Sequence, residues 1–170
     1  MKKLNCLFLL SWMCLAVAGE SPQRVTVNFI QPEQFTDVAL SGSSTDRTRQ
    51  YVLDNLQDYL ISLANNKLPQ NTRLTIDILD IDMAGRYEPW QSQMLNNVRF
   101  VRDIYPPKIK LRYTWLDAQG KVRASAGDVL NDLAYLQHAD PGYVSNDPLR
   151  YEKTLLRRWF EQHFVGAKAY

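Results

Sequence analysis

The run Leu79-Asp80-Ile81-Asp82-Met83-Ala84-Gly85-Arg86-Tyr87-Glu88-Pro89-Trp90 is the stretch best equipped for chemistry. Asp80 and Asp82 stand two apart, and on a strand that spacing puts both carboxylates on one face. Such a pair can hold a hard cation such as Ca²⁺ or Mg²⁺, or supply part of an acid/base pair. Glu88 adds a third carboxylate and Trp90 a flat aromatic surface, a combination suited to a sugar ring. The plainer reading is that these acids accept hydrogen bonds and salt bridges from arginines, because a carboxylate near a core must be paired.

Two further segments supply candidate partners. In Arg99-Phe100-Val101-Arg102-Asp103-Ile104-Tyr105, Arg99 or Arg102 can offer its guanidinium fork to Asp80 or Asp82, or reach an anionic ligand. In Ser145-Asn146-Asp147-Pro148-Leu149-Arg150-Tyr151, helix capping accounts for Asp147 and Pro148. Arg150 and Tyr151 are left over and can join the same patch. The candidate ligand patch is therefore Asp80, Asp82, Glu88, Trp90, Arg102, Asp103, Tyr105, Arg150 and Tyr151. No metal site is assigned; Asp80 and Asp82 are weak candidates only. GxSxG, HExxH and phosphate-binding glycine loops do not occur, and no cofactor is expected. The two histidines, His138 and His163, have no obvious partner and read as solvated.

The elements that must hold these residues follow from periodicity. Val25, Val27 and Phe29 alternate with polar residues, as in a half-buried strand. Val52, Leu53, Leu56, Tyr59, Leu60 and Leu63 make the apolar stripe of a helix from Thr45 or Asp46 to Asn65, capped by Ser44 or Thr45. Thr72 to Met83 reads as a strand whose apolar phase switches near Ile78, which predicts a bulge or burial on both faces. Residues 90–107 fit either a short strand over Asn97–Arg102 or a helical face of Met94, Leu95, Val98 and Val101.

Lys108 to Leu116 alternates cleanly, Asp117-Ala118-Gln119-Gly120 is a tight turn, and Lys121 to Ala126 returns as its partner strand. Leu130, Leu133, Tyr135 and Leu136 read as apolar anchors of an irregular stretch. A last helix runs from Pro148 to Phe164, with Asp147 as N-cap and Leu149, Leu156, Trp159, Phe160 and Phe164 as its buried side. These pieces predict an α+β fold: a small, mainly antiparallel sheet with two helices packed on one face, a two-layer sandwich. The other face, with Lys108, Lys110, Arg112 and Thr114, should be wet.

Lys2 and Lys3 precede an apolar run from Leu4 to Ala18, and Ala16-Val17-Ala18 offers a small-residue cleavage site. This is the layout of a secretory signal peptide, and it is shorter than the about 20 apolar residues of a membrane span. The expected organisation is a signal peptide over 1–18 and one domain over 19–170, exported to the periplasm. Cleavage after Ala18 would remove both cysteines and leave 152 residues with 18 basic against 18 acidic side chains. Thiol chemistry is thereby excluded from the mature chain, and a balanced charge gives no nucleic-acid signature. No second long apolar run follows, so no membrane span is expected there, and a monomer is.

Three blocks carry a recognisable pattern: LDIDMAGRYEPW at 79–90, RDIYPPKIKLRY at 102–113 and SNDPLRYEK at 145–153, together with Val27–Asp37. The chain resembles a bacterial family of exported proteins known as domain of unknown function thirty-sixteen, over nearly the whole mature length. The resemblance implies a Gram-negative envelope setting and brings no activity, cofactor or catalytic residue with it. The missing catalytic signatures weigh against an enzyme. A non-enzymatic envelope module that binds a protein or glycan is the leading expectation. Its alternatives are a carboxylate-dependent carbohydrate-active or lectin-like site, and a domain stabilised by a divalent cation.

Overall fold

The computed structural model describes residues 23–40, 45–138 and 146–165. The expected leader lies outside them, as do Ser44 and Ser145. Strand β1 (Val25–Phe29) leads through helix α1 (Asp46–Lys67) into β2 (Arg73–Asp82). Two very short strands, β3 (Arg86–Tyr87) and β4 (Arg99–Phe100), precede the long hairpin of β5 (Lys108–Leu116) and β6 (Val122–Asn131). Helix α2 (Arg150–Phe160) closes the order and continues as a π-helical turn over Glu161–Val165. The main sheet runs β1-β2-β5-β6, with β1 parallel to β2 and the other neighbours antiparallel; β3 and β4 pair separately. This is the expected α+β fold.

Both helices cover one sheet face because only that face is apolar. Ile109, Leu111, Tyr113 and Trp115 of β5 are buried, while Lys108, Lys110 and Arg112 between them are exposed. Helix α1 buries Val52, Leu53, Leu56, Leu60, Leu63 and Ala64. It starts at Thr45, whose hydroxyl accepts the Thr48 N–H at 3.2 Å while the Thr48 hydroxyl accepts the Thr45 N–H at 3.0 Å. From the C-terminal turn, Phe164 sets its ring edge-on to Tyr113 and Trp115, with centroids 5.2 and 5.4 Å apart. The helices lie side by side, with the Lys153 ammonium 5.8 Å from the Tyr59 ring centre.

Strand β2 contains the bulge that its change of phase predicts. Ile78 and Ile81 are three apart, yet both are buried, which a strict two-residue period forbids. The register against β5 shifts between Ile78 and Asp80, and the extra residue absorbs the mismatch. Asp80 and Asp82 then face Lys110 and Lys108 across the strand pair, on the open side of the sheet. Asp77 on the same side accepts from Asn28 and Arg112 at 2.8 Å each. Burial is the largest single influence and pushes its pKa up, but the two hydrogen bonds and the Arg112 charge together outweigh it and hold the carboxyl below the usual range.

Several boundaries differ from expectation. Strand β6 runs on to Asn131 and contains Leu130, because β5 is long enough to pair with all of it. Leu133 and Leu136 are exposed rather than anchoring, and of the turn's apolar side chains only Tyr135 is buried. Helix α2 begins at Arg150, not Pro148. Asp147 does not cap it; its carboxylate accepts the Leu149 N–H at 2.8 Å in a turn just before the helix and pairs with Lys153 at 2.7 Å. Residues 90–107 hold one 3-10 turn at Gln93–Leu95 and the two-residue β4, so neither alternative for this stretch describes it fully.

Candidate functional site

Between β2 and β5 the chain makes a long excursion, and most of the candidate patch lies on it. Its base is a turn at Gly85, with φ of 80°, where an added Cβ would lie 2.6 Å from the Phe100 carbonyl oxygen. Only glycine lets β4 approach this closely. The pairings Arg86↔Phe100 and Tyr87↔Arg99 then close the small second sheet.

Two arginine networks brace the excursion, one around the largely covered Arg99 and one around the half-exposed Arg102. Arg99 donates from Nε to the Ala84 carbonyl at 2.7 Å, from Nη1 to Ala39 at 3.0 Å, and from Nη2 to Met83 at 3.0 Å and to Asp37 at 2.7 Å. The second network centres on Glu88, which is only 3% exposed. Arg102 grips both carboxylate oxygens at 2.9 and 2.8 Å, and Tyr105 and Gln91 donate at 3.1 and 2.9 Å. The Arg102 hydrogen bonds, helped by those from Gln91 and Tyr105, outweigh burial and hold the Glu88 carboxyl below its usual range.

The arginine pairings correct the expected ones. Neither Arg99 nor Arg102 reaches Asp80 or Asp82; they serve Asp37 and Glu88 instead. Asp80 accepts from the Thr36 N–H at 2.7 Å and the Thr36 hydroxyl at 2.8 Å. Asp82 meets Arg86 at 3.2 Å, and partial burial raises its pKa despite that partner. The fork geometry was legible, but which carboxylate it met depended on the bulge and on the path of residues 30–40.

Seven of the nine candidate residues therefore fall into three groups, with Trp90 and Asp103 outside them. Glu88, Arg102 and Tyr105 form the closed network. Arg150 and Tyr151 approach it through an intermediary: the Arg150 guanidinium stacks 4.4 Å from the Tyr151 ring centre, Tyr151 packs on Tyr135 at 4.9 Å, and the Tyr135 hydroxyl donates to the Arg102 carbonyl at 2.6 Å. Burial pushes the Tyr135 phenol up to about 12, so it remains a donor. Asp80 and Asp82 stand apart, at the end of the open sheet face. Asp103 is exposed.

Among its exposed side chains the excursion includes several large apolar ones. Trp90 is 70% exposed, Met94 93%, Val98 43%, Val101 38% and Ile104 67%. These are five of the twelve large exposed hydrophobic side chains of the described residues, gathered within fifteen positions. Contiguous exposed apolar surface marks contact sites, whereas scattered exposure does not. Among the described residues no three His, Cys, Asp or Glu side chains gather as a metal site would require.

Sequence reasoning missed three features. Glu152, in the first turn of α2, is 1% exposed; one oxygen accepts the Ala84 N–H at 2.7 Å and the other has no hydrogen-bond partner among the described residues. Burial raises its pKa. The histidines are not simply solvated. His138 Nδ1 lies 2.8 Å from Asp132, which also accepts from Arg158 at 2.7 Å. His163 lies 3.4 Å from Asp128, which accepts from the Trp159 indole at 2.8 Å. The His–Asp partners stand 6 and 35 positions apart, in elements whose packing no local pattern reveals.

No helix among the described residues is long and apolar enough to cross a membrane. No curated protein and no solved structure matches the chain. The profile of one family, described as "Protein of unknown function (DUF3016)", matches residues 23–162, a span that takes in both arginine networks, the excursion and all of α2. By that match the chain belongs to the DUF3016 family.

Proposed function

We propose that the protein is an exported, non-enzymatic binding module of the bacterial cell envelope, and that residues 88–107 carry its contact surface. The observation behind this reading is the pairing of a rigid base with an apolar front. Arg99 and Arg102 fix the excursion from within, while Trp90, Met94 and Ile104 stand out in water. A contact surface that is already ordered loses less conformational freedom on binding, and aromatic anchors of this kind dominate interface energetics. The leader-like start of the sequence supports the periplasm as the compartment.

The alternative of a carboxylate-dependent glycan enzyme draws on Trp90, whose exposed ring can take a sugar face. Its acids fare less well. Glu88 is held ionised by four donors, which suits neither a proton donor nor an accessible nucleophile. Asp80 is occupied by Thr36. These acids are spent on holding the loop.

Wild-type protein and a Trp90→Ala/Ile104→Ala variant purified from envelope fractions test the reading. Both side chains are exposed, so the variant should unfold within about 0.5 kcal/mol of wild type per site. It should lose the protein or glycan that accompanies the wild type. A variant that keeps that companion, or a wild type that turns over glycan fragments, contradicts the proposal.

A further inference from the structure

The two ends of the main sheet handle charge differently. At the excursion end each arginine of the excursion has its acid: Arg86 meets Asp82, Arg99 meets Asp37 and Arg102 meets Glu88. The other end gathers the start of β1, the α1–β2 loop and the β5–β6 turn, because Val25 pairs with Leu74 and Arg73 with Leu116. Positions 23–24, 68–73 and 116–123 carry Arg24, Arg73, Lys121 and Arg123 against a single acid, Asp117.

That acid is committed to its own turn, where it accepts the N–H groups of Gln119 and Lys121 at 3.0 and 2.9 Å. Arg24 turns inward and donates to the Asn65, Leu68 and Pro69 carbonyls, which closes the end of α1. The other three cations are unspent. Arg73 lies against the turn, where a Cβ added to Gly120 would be 3.1 Å from its Nη2, yet its guanidinium has no hydrogen bond or ion pair among the described residues. The Lys121 ammonium has none either. The Arg123 guanidinium stacks 4.3 Å from the Trp115 ring centre without meeting an acid among the described residues. All three residues are exposed.

An open cleft of about 650 Å³ lies beside Arg73, bordered by the amide side chains of Gln70 and Asn71 and by Ala118 of the turn. A guanidinium fork with amide donors suits a phosphate. The cleft is wide and no acid borders it, which fits a phosphate presented on a surface better than an enclosed small molecule. Val122 is the one large apolar side chain exposed in these loops, so attachment here would be by charge rather than by insertion.

We propose that this end docks on an anionic phospholipid surface, with one headgroup phosphate against Arg73 and with Lys121 and Arg123 facing its neighbours. Unpaired cations spread over separate loops match an extended anionic surface. Strand β2 carries ten residues between this end and the excursion, which would stand about 30 Å away and face outward. The inference rests on the charges of this end and not on the reading of residues 88–107.

Cosedimentation with vesicles, using protein purified from the envelope fraction, is the test. The protein should pellet with vesicles of phosphatidylcholine and phosphatidylglycerol in equal parts and stay in solution with phosphatidylcholine alone. Sodium chloride should release it, because salt screens exposed charges. Inorganic phosphate at the same ionic strength should release no more, since a lone phosphate meets only Arg73. Arg73→Gln/Lys121→Gln removes two exposed, unpaired charges and should weaken binding about 25-fold, at roughly fivefold per charge. Lys108→Gln/Lys110→Gln removes as many from the opposite end of the sheet and should change it less than about threefold. No attachment to the mixed vesicles, equal attachment to both kinds, equal loss in both variants, or release by phosphate in preference to chloride would overturn the proposal. So would equally tight binding to duplex DNA, which would make this end a general polyanion site.

Discussion

Glu88 and Glu152 are the same side chain, both nearly inaccessible, and their environments push them in opposite directions. Four donors hold Glu88 ionised. Glu152 receives one backbone N–H, and its second oxygen has no partner among the described residues, so burial dominates. Because the fold binds the Glu152 proton more tightly than the unfolded chain does, the site carries no cost in acid. A penalty then grows as pH rises past the ordinary glutamate value of about 4.3 toward the raised one. Gln keeps the acceptor for Ala84 and removes the charge. Glu152→Gln should therefore be more stable than wild type at neutral pH by roughly 1–3 kcal/mol, with the gap closing below the ordinary glutamate range. Urea unfolding across pH reads this directly, and a gap that widens in acid would contradict it. Neither environment could be read from sequence. Asp80, Glu88, Arg99 and Arg102 were visible as residues fit for pairing, but their partners are fixed by chain path, as with Arg99 and Asp37 at 62 positions' separation.

At the scale of elements, legibility followed length. Strand β5 and helix α1 declare themselves because nine and twenty-two residues repeat their period several times. The bulge in β2 was legible for the same reason: a break in phase is visible only against an established phase. Strands β3 and β4 have two residues each, too few for any period, and the excursion they build could not be recognised as a folded unit. Gly85 is its one local signature. Gly85→Ala forces a side chain into positive φ and against the Phe100 carbonyl, and it should cost about 1–3 kcal/mol. The loss should concentrate locally, with faster hydrogen exchange in residues 84–105 than in the β5–β6 hairpin. Uniform loss across the sheet would mean that the excursion is not a separately anchored unit.

For the whole molecule, the division of labour follows from which surfaces the two helices leave uncovered. They seal the apolar face of the sheet, and the opposite face keeps its charges in cross-strand register, Asp77 with Arg112, Asp80 with Lys110 and Asp82 with Lys108. Five of the twelve large apolar side chains left exposed lie on the 88–107 excursion, where the central claim can be tested most directly. A photo-crosslinking residue placed at Met94, the most exposed of them, can be compared with one at Tyr51, half exposed on the outer face of α1. In cells that make the protein, the account predicts one discrete adduct from position 94 and none from position 51. No adduct at 94, or the same adducts from both positions, would contradict it.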